Sequence, residues 1–273
     1  MSVNSMAQYN GGTSWTRYTN YFLAENGYNT TGVSLSIAGV GSQGATLISN
    51  RHVLLAKHVS DALFTYPQTI YFVNNSNTTF SYTINSAADV ATIGTNSGPG
   101  YTDITIGYLN TTVDASLSFH KVVPTSFLNY IQNGSVYGGN QFKAPYLPVL
   151  YMDGGDGVST NKRTWCGNLQ YVCDTCTSDL LYYVRPISGV KYNNSQALIG
   201  GDSGNIIFIP VNNEIVILGT WYGDSGGAGN PGDPLGYSSF ITPNISAINS
   251  AMTTLAGTSY SLTEADLSSF YVY

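Results

Sequence analysis

The sequence predicts an all-β fold, either a barrel or a sandwich. Short segments rich in β-branched and aromatic residues recur along the chain, Gly, Asn and Pro separate them, and long amphipathic helical patterns are scarce. Such residues suit a pleated, half-buried surface, and the separating residues favour turns. The clearest predicted strands span residues 32–38, 46–56, 69–73, 104–109, 180–184, 205–210 and 214–222.

One helix is predicted near the C-terminal end of the chain. Thr242 is a candidate N-cap, Pro243 suits the first helical position, and Gly257 is a candidate stop. The segment 259–273 is a candidate strand that packs on the body of the protein or on a neighbouring chain. The apolar residues expected on one face of the helix are Ile245, Ile248 and Met252.

The composition argues against several function classes. Charged residues make up 9% of the chain, against about 25% in an average soluble protein. The net charge is −6 and no basic stripe is present, so nucleic-acid binding is not expected. No run of 18 apolar residues predicts a membrane span, and the N-terminus lacks the pattern of a signal peptide. The low charge indicates an exported protein, a component of a large assembly such as a virus particle, or a compositional bias of the source.

Three cysteines, Cys166, Cys173 and Cys176, form a poor disulfide framework. Cys173 and Cys176 have the spacing of half a zinc knuckle, but the sequence holds no second pair, so no metal site is predicted. A local disulfide or three free thiols is the favoured state.

A candidate nucleophile lies in the segment 200–204, which reads Gly-Gly-Asp-Ser-Gly and precedes the apolar run 206–209. The glycines leave Ser203 sterically open, so a substrate carbonyl can approach closely. They also allow backbone N–H groups to point at one spot, which can build an oxyanion hole. The same composition is common in ordinary turns, so this serine needs the support of a base.

The candidate base is His58, which ends an apolar run and so is expected at the rim of a barrel. His52 and His120 are interpreted as strand or surface histidines, and Lys57 as a solvated side chain. Asp103 opens another apolar strand and can hold the imidazole in one tautomer and stabilise its cation.

Four blocks of the chain resemble the trypsin/chymotrypsin family of serine proteases. Residues 44–58 are similar to the segment that ends at the family's catalytic histidine, and residues 103–106 to its Asp-Ile-Ala-Leu strand. Residues 201–204 match its nucleophile turn, and residues 216–223 resemble its later strand with Ser-Trp-Gly. The order His, Asp, Ser is also that of the family.

The resemblance implies two packed antiparallel Greek-key β-barrels with a short C-terminal helix. Pro and Gly are frequent in residues 122–159, which make a candidate connection between the two halves. The domains expected are an N-terminal extension at 1–28, a first barrel at 29–125, a second barrel at 126–242, and a helix and tail at 243–273.

The resemblance also implies roles for single residues. His58 would be the general base, Asp103 would orient it, Ser203 would be the nucleophile, and the N–H groups of Gly201 and Ser203 would form the oxyanion hole. The implied substrate-binding residues are Ala197 in the pocket floor, Thr220 against the Asp103 carboxylate, Trp221 beside the substrate backbone as an added strand, and Tyr222 narrowing the pocket.

Some positions depart from the family. A second Gly-Asp-Ser-Gly motif surrounds Ser225, but no apolar strand follows it, so Ser203 is favoured. Val59 and Ile199 stand where the family usually has cysteines. No Arg-Ile-Val-Gly-Gly activation site is present, so Asp202 needs a partner other than a freed N-terminus.

The sequence therefore predicts a serine endopeptidase that acts on polypeptides through an acyl-enzyme on Ser203. Ala197 brings no charge to the pocket, so cleavage is expected after a neutral residue. The chemistry requires neither a metal nor a cofactor. The alternative is a structural component of a virus particle or surface assembly that uses a trypsin-like fold, active or inactive. The low charge and the aromatic C-terminal tail favour this alternative, with self-association or an assembly partner.

Overall fold

The computed structural model contains two β-sheets and few helices. The all-β prediction, with a short C-terminal helix, is confirmed. None of the helices in the described part is long and apolar enough to cross a membrane. The residues described are 27–40, 43–90, 102–127, 141–153, 163–173, 180–184, 201–224 and 234–268.

The first sheet is antiparallel, with the strand order β1-β4-β5-β6-β3-β2. The Ser34 N–H donates to the Ala45 carbonyl at 2.8 Å, and Val33 bridges to Thr46. The segment that leads into β1 therefore also pairs with β2, and the sheet curls back on itself. Its strands are β1 Ser36–Ile37, β2 Ala45–Leu47, β3 His52–Leu55, β4 Gln68–Val73, β5 Thr79–Asp89 and β6 Thr105–Leu109.

The predicted strand at 46–56 is in fact a hairpin of β2 and β3. The Ser49 hydroxyl accepts hydrogen bonds from the N–H groups of Arg51 and His52 at 3.1 and 3.0 Å. A serine that bonds to the backbone two or three residues further along supports a turn at the cost of an extended chain. After β3 the chain forms the short helix α1, Lys57–Leu63, which the sequence did not predict.

The second sheet has the order β11-β8-β9-β10-β13-β12-β7. Since β11 pairs with both β8 and β12, six of the strands close into a ring, and β7 pairs with β12 in parallel. These strands are β7 Lys121–Val122, β8 Gln141–Asp153, β9 Arg163–Cys173, β10 Leu180–Val184, β11 Ile206–Val211, β12 Glu214–Asp224 and β13 Pro234–Phe240. The domain boundaries expected from the sequence stay predictions.

The predicted connection at 122–159 is wrong in part, because β8 crosses it. The pairing of β8 with β9 shifts register between Lys143 and Leu147. Pro145 lies in this shift, and an irregular pairing tolerates a residue that cannot donate to the ladder. Prolines that indicate a connection in the sequence are thus accommodated inside a strand.

The C-terminal helix α2, Ile245–Ala256, covers a core that both sheets share. Its apolar face is buried as predicted, and Gly257 ends it at φ 65°. Thr242 is not the N-cap, because a 3₁₀ turn over Thr242–Asn244 precedes the helix. Members of the shared core include Ile104, Ile106, Ile206, Phe208, Ile217, Ile245, Ile248 and Met252.

The segment after α2 packs on the body of the protein up to residue 268. Leu262 joins the shared core, and Glu264 bridges in parallel to Val122. The hydrogen bonds from Val122 N–H to Thr263 O and from Ala265 N–H to Val122 O are 3.0 and 2.9 Å long. Residues 269–273 lie outside the described residues.

His52 joins β3 to α2 through its buried ring. Nε2 lies 3.1 Å from the Met252 carbonyl oxygen, and Nδ1 lies 2.8 Å from the Ser49 hydroxyl. Because a carbonyl can only accept, Nε2 carries the proton and Nδ1 accepts from Ser49. Burial lowers the pKa of His52 to about 4. The Arg51 charge also lowers it, whereas the hydrogen bond to Met252 raises it and offsets part of the effect. His52 is therefore a neutral structural residue.

The pKa of His52 is about 6.5 in the unfolded chain and about 4 in the folded protein. The folded protein should therefore lose stability as the pH falls through this range, because only the unfolded chain binds a proton at His52 there. Over this window the contribution of His52 to the free energy of unfolding should fall by about 3 kcal/mol. Urea denaturation of the wild type and of His52→Gln at several pH values tests this. The stability difference between them should shrink on acidification, and a difference independent of pH would contradict the assignment.

Candidate active site

Strand pairing brings His58 and Asp103 together. Strands β3 and β6 are antiparallel neighbours with Leu55 opposite Thr105, so the end of β3 adjoins the start of β6. His58 lies in the first turn of α1, just beyond β3, and Asp103 lies just before β6. The backbone N–H of His58 donates to Asp103 Oδ1 at 2.7 Å, which fixes the carboxylate against the helix.

Hydrogen bonds link the side chains of His58, Asp103 and Ser203 in series. His58 Nδ1 lies 2.7 Å from Asp103 Oδ2, and His58 Nε2 lies 2.8 Å from Ser203 Oγ. A carboxylate only accepts, so Nδ1 carries the proton and Nε2 is left to accept from the Ser203 hydroxyl. The Asp103 side chain is 1% exposed and that of His58 is 38% exposed. Asp103 is thus buried away from solvent, while His58 faces it.

Ser239 of β13 holds Asp103 from the second sheet. The Asp103 N–H donates to the Ser239 hydroxyl at 3.1 Å, and both residues are buried. Ser239 was not predicted from the sequence, since nothing in the local pattern of residues 234–240 indicates a partner 136 positions away.

Thr220 does not bind Asp103 by a hydrogen bond. Its hydroxyl is buried and has no hydrogen-bond partner within the described ranges. Thr220 is paired with Ile206 on one side and with Ser239 on the other, in the middle of the sheet. The contact with the carboxylate that the family resemblance implies is therefore not found as a hydrogen bond.

Trp221 belongs to the core beneath the site. Its indole is buried and lies edge-on to the rings of Tyr151 and Tyr183, at centroid distances of 5.3 and 5.1 Å. The backbone N–H of Trp221 donates to Asn205 O at 3.0 Å, and the backbone carbonyl of Trp221 accepts from Gly204 N–H at 3.1 Å. Trp221 thus anchors the turn that carries Ser203, and its pairing with a substrate backbone stays a prediction.

Tyr222 lies beside the base. Its ring centroid is 5.9 Å from that of His58 in an edge-to-face arrangement and 5.2 Å from that of Tyr237. Burial raises the pKa of Tyr222, and the charges of Tyr237 and Asp103 add to this, so its hydroxyl stays neutral. Tyr222 is also the residue where the pairing of β12 with β13 shifts register. A narrowed pocket at this position stays a prediction.

Ser203 lies at the second position of a tight turn from Asp202 to Asn205. The Asn205 N–H donates to the Asp202 carbonyl at 3.2 Å, and Gly204 has φ 76°, a value that a type II turn requires at its third residue. The Gly44 N–H of the first sheet donates to Ser203 O at 3.0 Å. A Cβ on Gly204 would collide with the Gly44 carbonyl oxygen, so the two chains meet here at glycines.

The two N–H groups expected in the oxyanion hole belong to Ser203 and Gly201. The Ser203 N–H has no hydrogen-bond partner among the described residues, and Ser203 is partly exposed. Gly201 precedes the turn at φ 108°, a conformation that favours glycine. The role of Gly201 stays a prediction.

Several other predicted residues can be located. Lys57 is not solvated, because it is buried in ion pairs with Asp89 and with Asp61, the latter at 3.0 Å. Val59 is buried in α1. His120 is buried just before β7, so it is neither the strand residue nor the surface residue that was expected. Cys166 and Cys173 lie in β9. Four other residues named from the sequence lie outside the described part of the chain: Ala197, Ile199, Ser225 and Cys176.

Comparison with known proteins supports the fold. No protein-family model and no curated protein matches the sequence. The chain has a chymotrypsin-like fold. A solved structure with a similar fold is that of a mutant of human heparin binding protein (CAP37). The TM-score is 0.55 at 14% sequence identity, and the similarity covers 82% of this chain and 92% of that one. At this identity the comparison shows the fold alone.

Thr220 and Ser239 offer a matched test of the hydrogen bonds around Asp103. Thr220→Val removes a buried hydroxyl without a partner and should raise the free energy of unfolding by about 1 kcal/mol. Ser239→Ala leaves the buried Asp103 N–H unsatisfied and should lower it by about 1–3 kcal/mol. Urea denaturation measures both. A loss of stability in Thr220→Val would contradict the geometry, since it would indicate a hydrogen bond to the Thr220 hydroxyl.

Proposed function

We propose that the protein is a serine endopeptidase that cleaves polypeptides through an acyl-enzyme on Ser203. The observation that carries the proposal is the series of hydrogen bonds from Asp103 through His58 to Ser203, at 2.7 and 2.8 Å. These distances lie within the range that nucleophile, base and orienting acid need. A chymotrypsin-like fold supports the proposal only at the level of fold.

Acyl transfer at this site proceeds in two halves. His58 Nε2 takes the proton of the Ser203 hydroxyl while Oγ attacks the peptide carbonyl carbon. The N–H groups of Ser203 and Gly201 stabilise the oxyanion, and His58 returns the proton to the leaving amine as the C–N bond breaks. Water then attacks the ester with His58 again as the base, which releases the carboxylate product and restores Ser203.

Asp103 supports both halves from a buried position. Its carboxylate holds the Nδ1 proton, so Nε2 is the basic nitrogen, and its negative charge stabilises the imidazolium that forms during attack. The water-free surroundings of the carboxylate strengthen this attraction.

Cleavage after a neutral residue completes the proposal. Ala197 stands six residues before Ser203, where trypsin-like pockets carry the group that selects a charged residue, and alanine offers no charge there. An uncharged pocket gives a Lys or Arg side chain no partner and leaves its charge poorly solvated.

Fluorophosphonate labelling followed by peptide mapping tests the nucleophile. The wild type should carry the adduct on Ser203, and Ser203→Ala should carry none. Ser225→Ala is the matched control, because the same Gly-Asp-Ser-Gly sequence surrounds Ser225, and its labelling should equal that of the wild type. Asp103→Asn should lower kcat by about 10⁴-fold. Folded wild type without an adduct would overturn the proposal and favour the assembly role.

Digestion of a peptide library tests the specificity. Mapped cleavage sites should follow neutral residues, and Lys or Arg should be under-represented at the position whose carbonyl is attacked. Ala197→Asp should shift cleavage towards Lys and Arg, because the new carboxylate would pair with a cationic side chain. Preferred cleavage after Lys or Arg by the wild type would contradict the neutral pocket while leaving the peptidase assignment intact.

A further inference from the structure

Asn205, the last residue of the nucleophile turn, has a side chain that the proposed mechanism does not use. It is fully buried, although its amide is polar. Its Nδ2 donates to the Asp202 carbonyl oxygen at 2.9 Å, and its backbone N–H donates to the same oxygen at 3.2 Å. One residue therefore holds one carbonyl with two donors.

The carbonyl held by Asn205 shares a peptide group with the Ser203 N–H. Because this group is planar and trans, its C=O and N–H bonds point in opposite directions. A carbonyl oxygen fixed towards the buried Asn205 amide therefore fixes the Ser203 N–H towards the other side. This N–H has no hydrogen-bond partner in the part of the chain that the structure describes.

The surroundings leave the Asn205 side chain little freedom. A Cβ on Gly44 would collide with Oδ1 and Cγ of Asn205, so the amide is packed directly against the Gly44 backbone. The next peptide group is fixed at both ends, because Ser203 O accepts from Gly44 N–H and Gly204 N–H donates to Trp221 O. The Asp202–Ser203 peptide is thus the one whose orientation the Asn205 side chain controls.

We propose that Asn205 is a positioning residue for the oxyanion hole: it holds the Asp202 carbonyl, and so directs the Ser203 N–H at the substrate oxyanion. The inference rests on the proposed peptidase function and adds a residue that touches neither substrate nor reacting atoms. The side-chain donor matters most when negative charge develops on the substrate oxygen, because only then does a misdirected N–H lose a strong interaction.

Asn205→Asp tests the inference with a side chain of the same size. The carboxylate cannot donate, and its oxygen would face the Asp202 carbonyl, so repulsion replaces the side-chain hydrogen bond and only the backbone N–H of residue 205 still holds the peptide. The expected result is a fall in kcat of about tenfold to hundredfold with KM unchanged. The affinity for a peptide boronate, which forms a tetrahedral adduct, should fall by the same factor, whereas affinity for the cleaved peptide product should not change.

Asn244→Asp is the matched control, since Asn244 is also a buried asparagine whose Nδ2 donates to a carbonyl, that of Phe240, at 2.8 Å. It should lower the midpoint of thermal unfolding without separating kcat from KM. Asn205→Ala is the second variant and should reproduce the kcat effect without an added charge. Circular dichroism at the assay temperature establishes that each variant is folded.

The outcomes separate this inference from the proposed function. Wild type that neither labels nor cleaves would overturn the peptidase function itself. An active wild type, together with a folded Asn205→Asp or Asn205→Ala that keeps the wild-type kcat and boronate affinity, would overturn only the role of Asn205. Loss of the fold in both variants would also overturn it, because Asn205 would then be needed for folding as a whole.

Discussion

The buried carboxylate of Asp103 is the constraint on which the site depends. An ionised acid away from water must be met by hydrogen-bond donors, or its burial is too costly. His58 supplies two donors, its backbone N–H and its ring N–H, and this requires α1 to begin directly after β3. The Asp103 N–H in turn needs Ser239 from the other sheet. The two bonds to the carboxylate therefore fix His58, and the bond from the Asp103 N–H joins the two sheets.

The turn that carries Ser203 is also held by a hydrogen bond between the two sheets, on the other side of the site. Ser203 lies in the turn before β11 of the second sheet, but its carbonyl accepts a hydrogen bond from Gly44, which precedes β2 of the first sheet. The approach is close enough that neither Gly44 nor Gly204 can carry a Cβ without moving its neighbour. The distance between His58 and Ser203 is thus set by backbone contacts across the sheets, and a small shift of one sheet would break it.

The three side chains that meet at the candidate site were easier to predict from the sequence than the parts of the fold that hold them. His58, Asp103 and Ser203 stand in motifs whose local composition points to them, and the apolar strands beside them are recognisable. Strand β5 was missed because Ser, Thr and Asn dilute its alternation, and β8 because it contains prolines. Ser239 and Gly44 act through contacts distant in the sequence, and one sequence does not reveal such pairs.

Two histidines close together in sequence show why partners, not residue types, decide function here. His52 begins β3 and His58 follows it. In each ring, one nitrogen lies within hydrogen-bond distance of a hydroxyl and the other of a second oxygen. The second oxygen of His52 is the neutral Met252 carbonyl inside the core, and its hydrogen bond offsets only part of the effect of burial, which lowers the pKa of His52 to about 4. The second oxygen of His58 belongs to the Asp103 carboxylate, whose charge in the proposed mechanism stabilises the imidazolium formed when Ser203 attacks. The Ser49 hydroxyl beside His52 lies in a buried turn, whereas Ser203 is partly exposed, so only the pair of His58 and Ser203 is open to solvent.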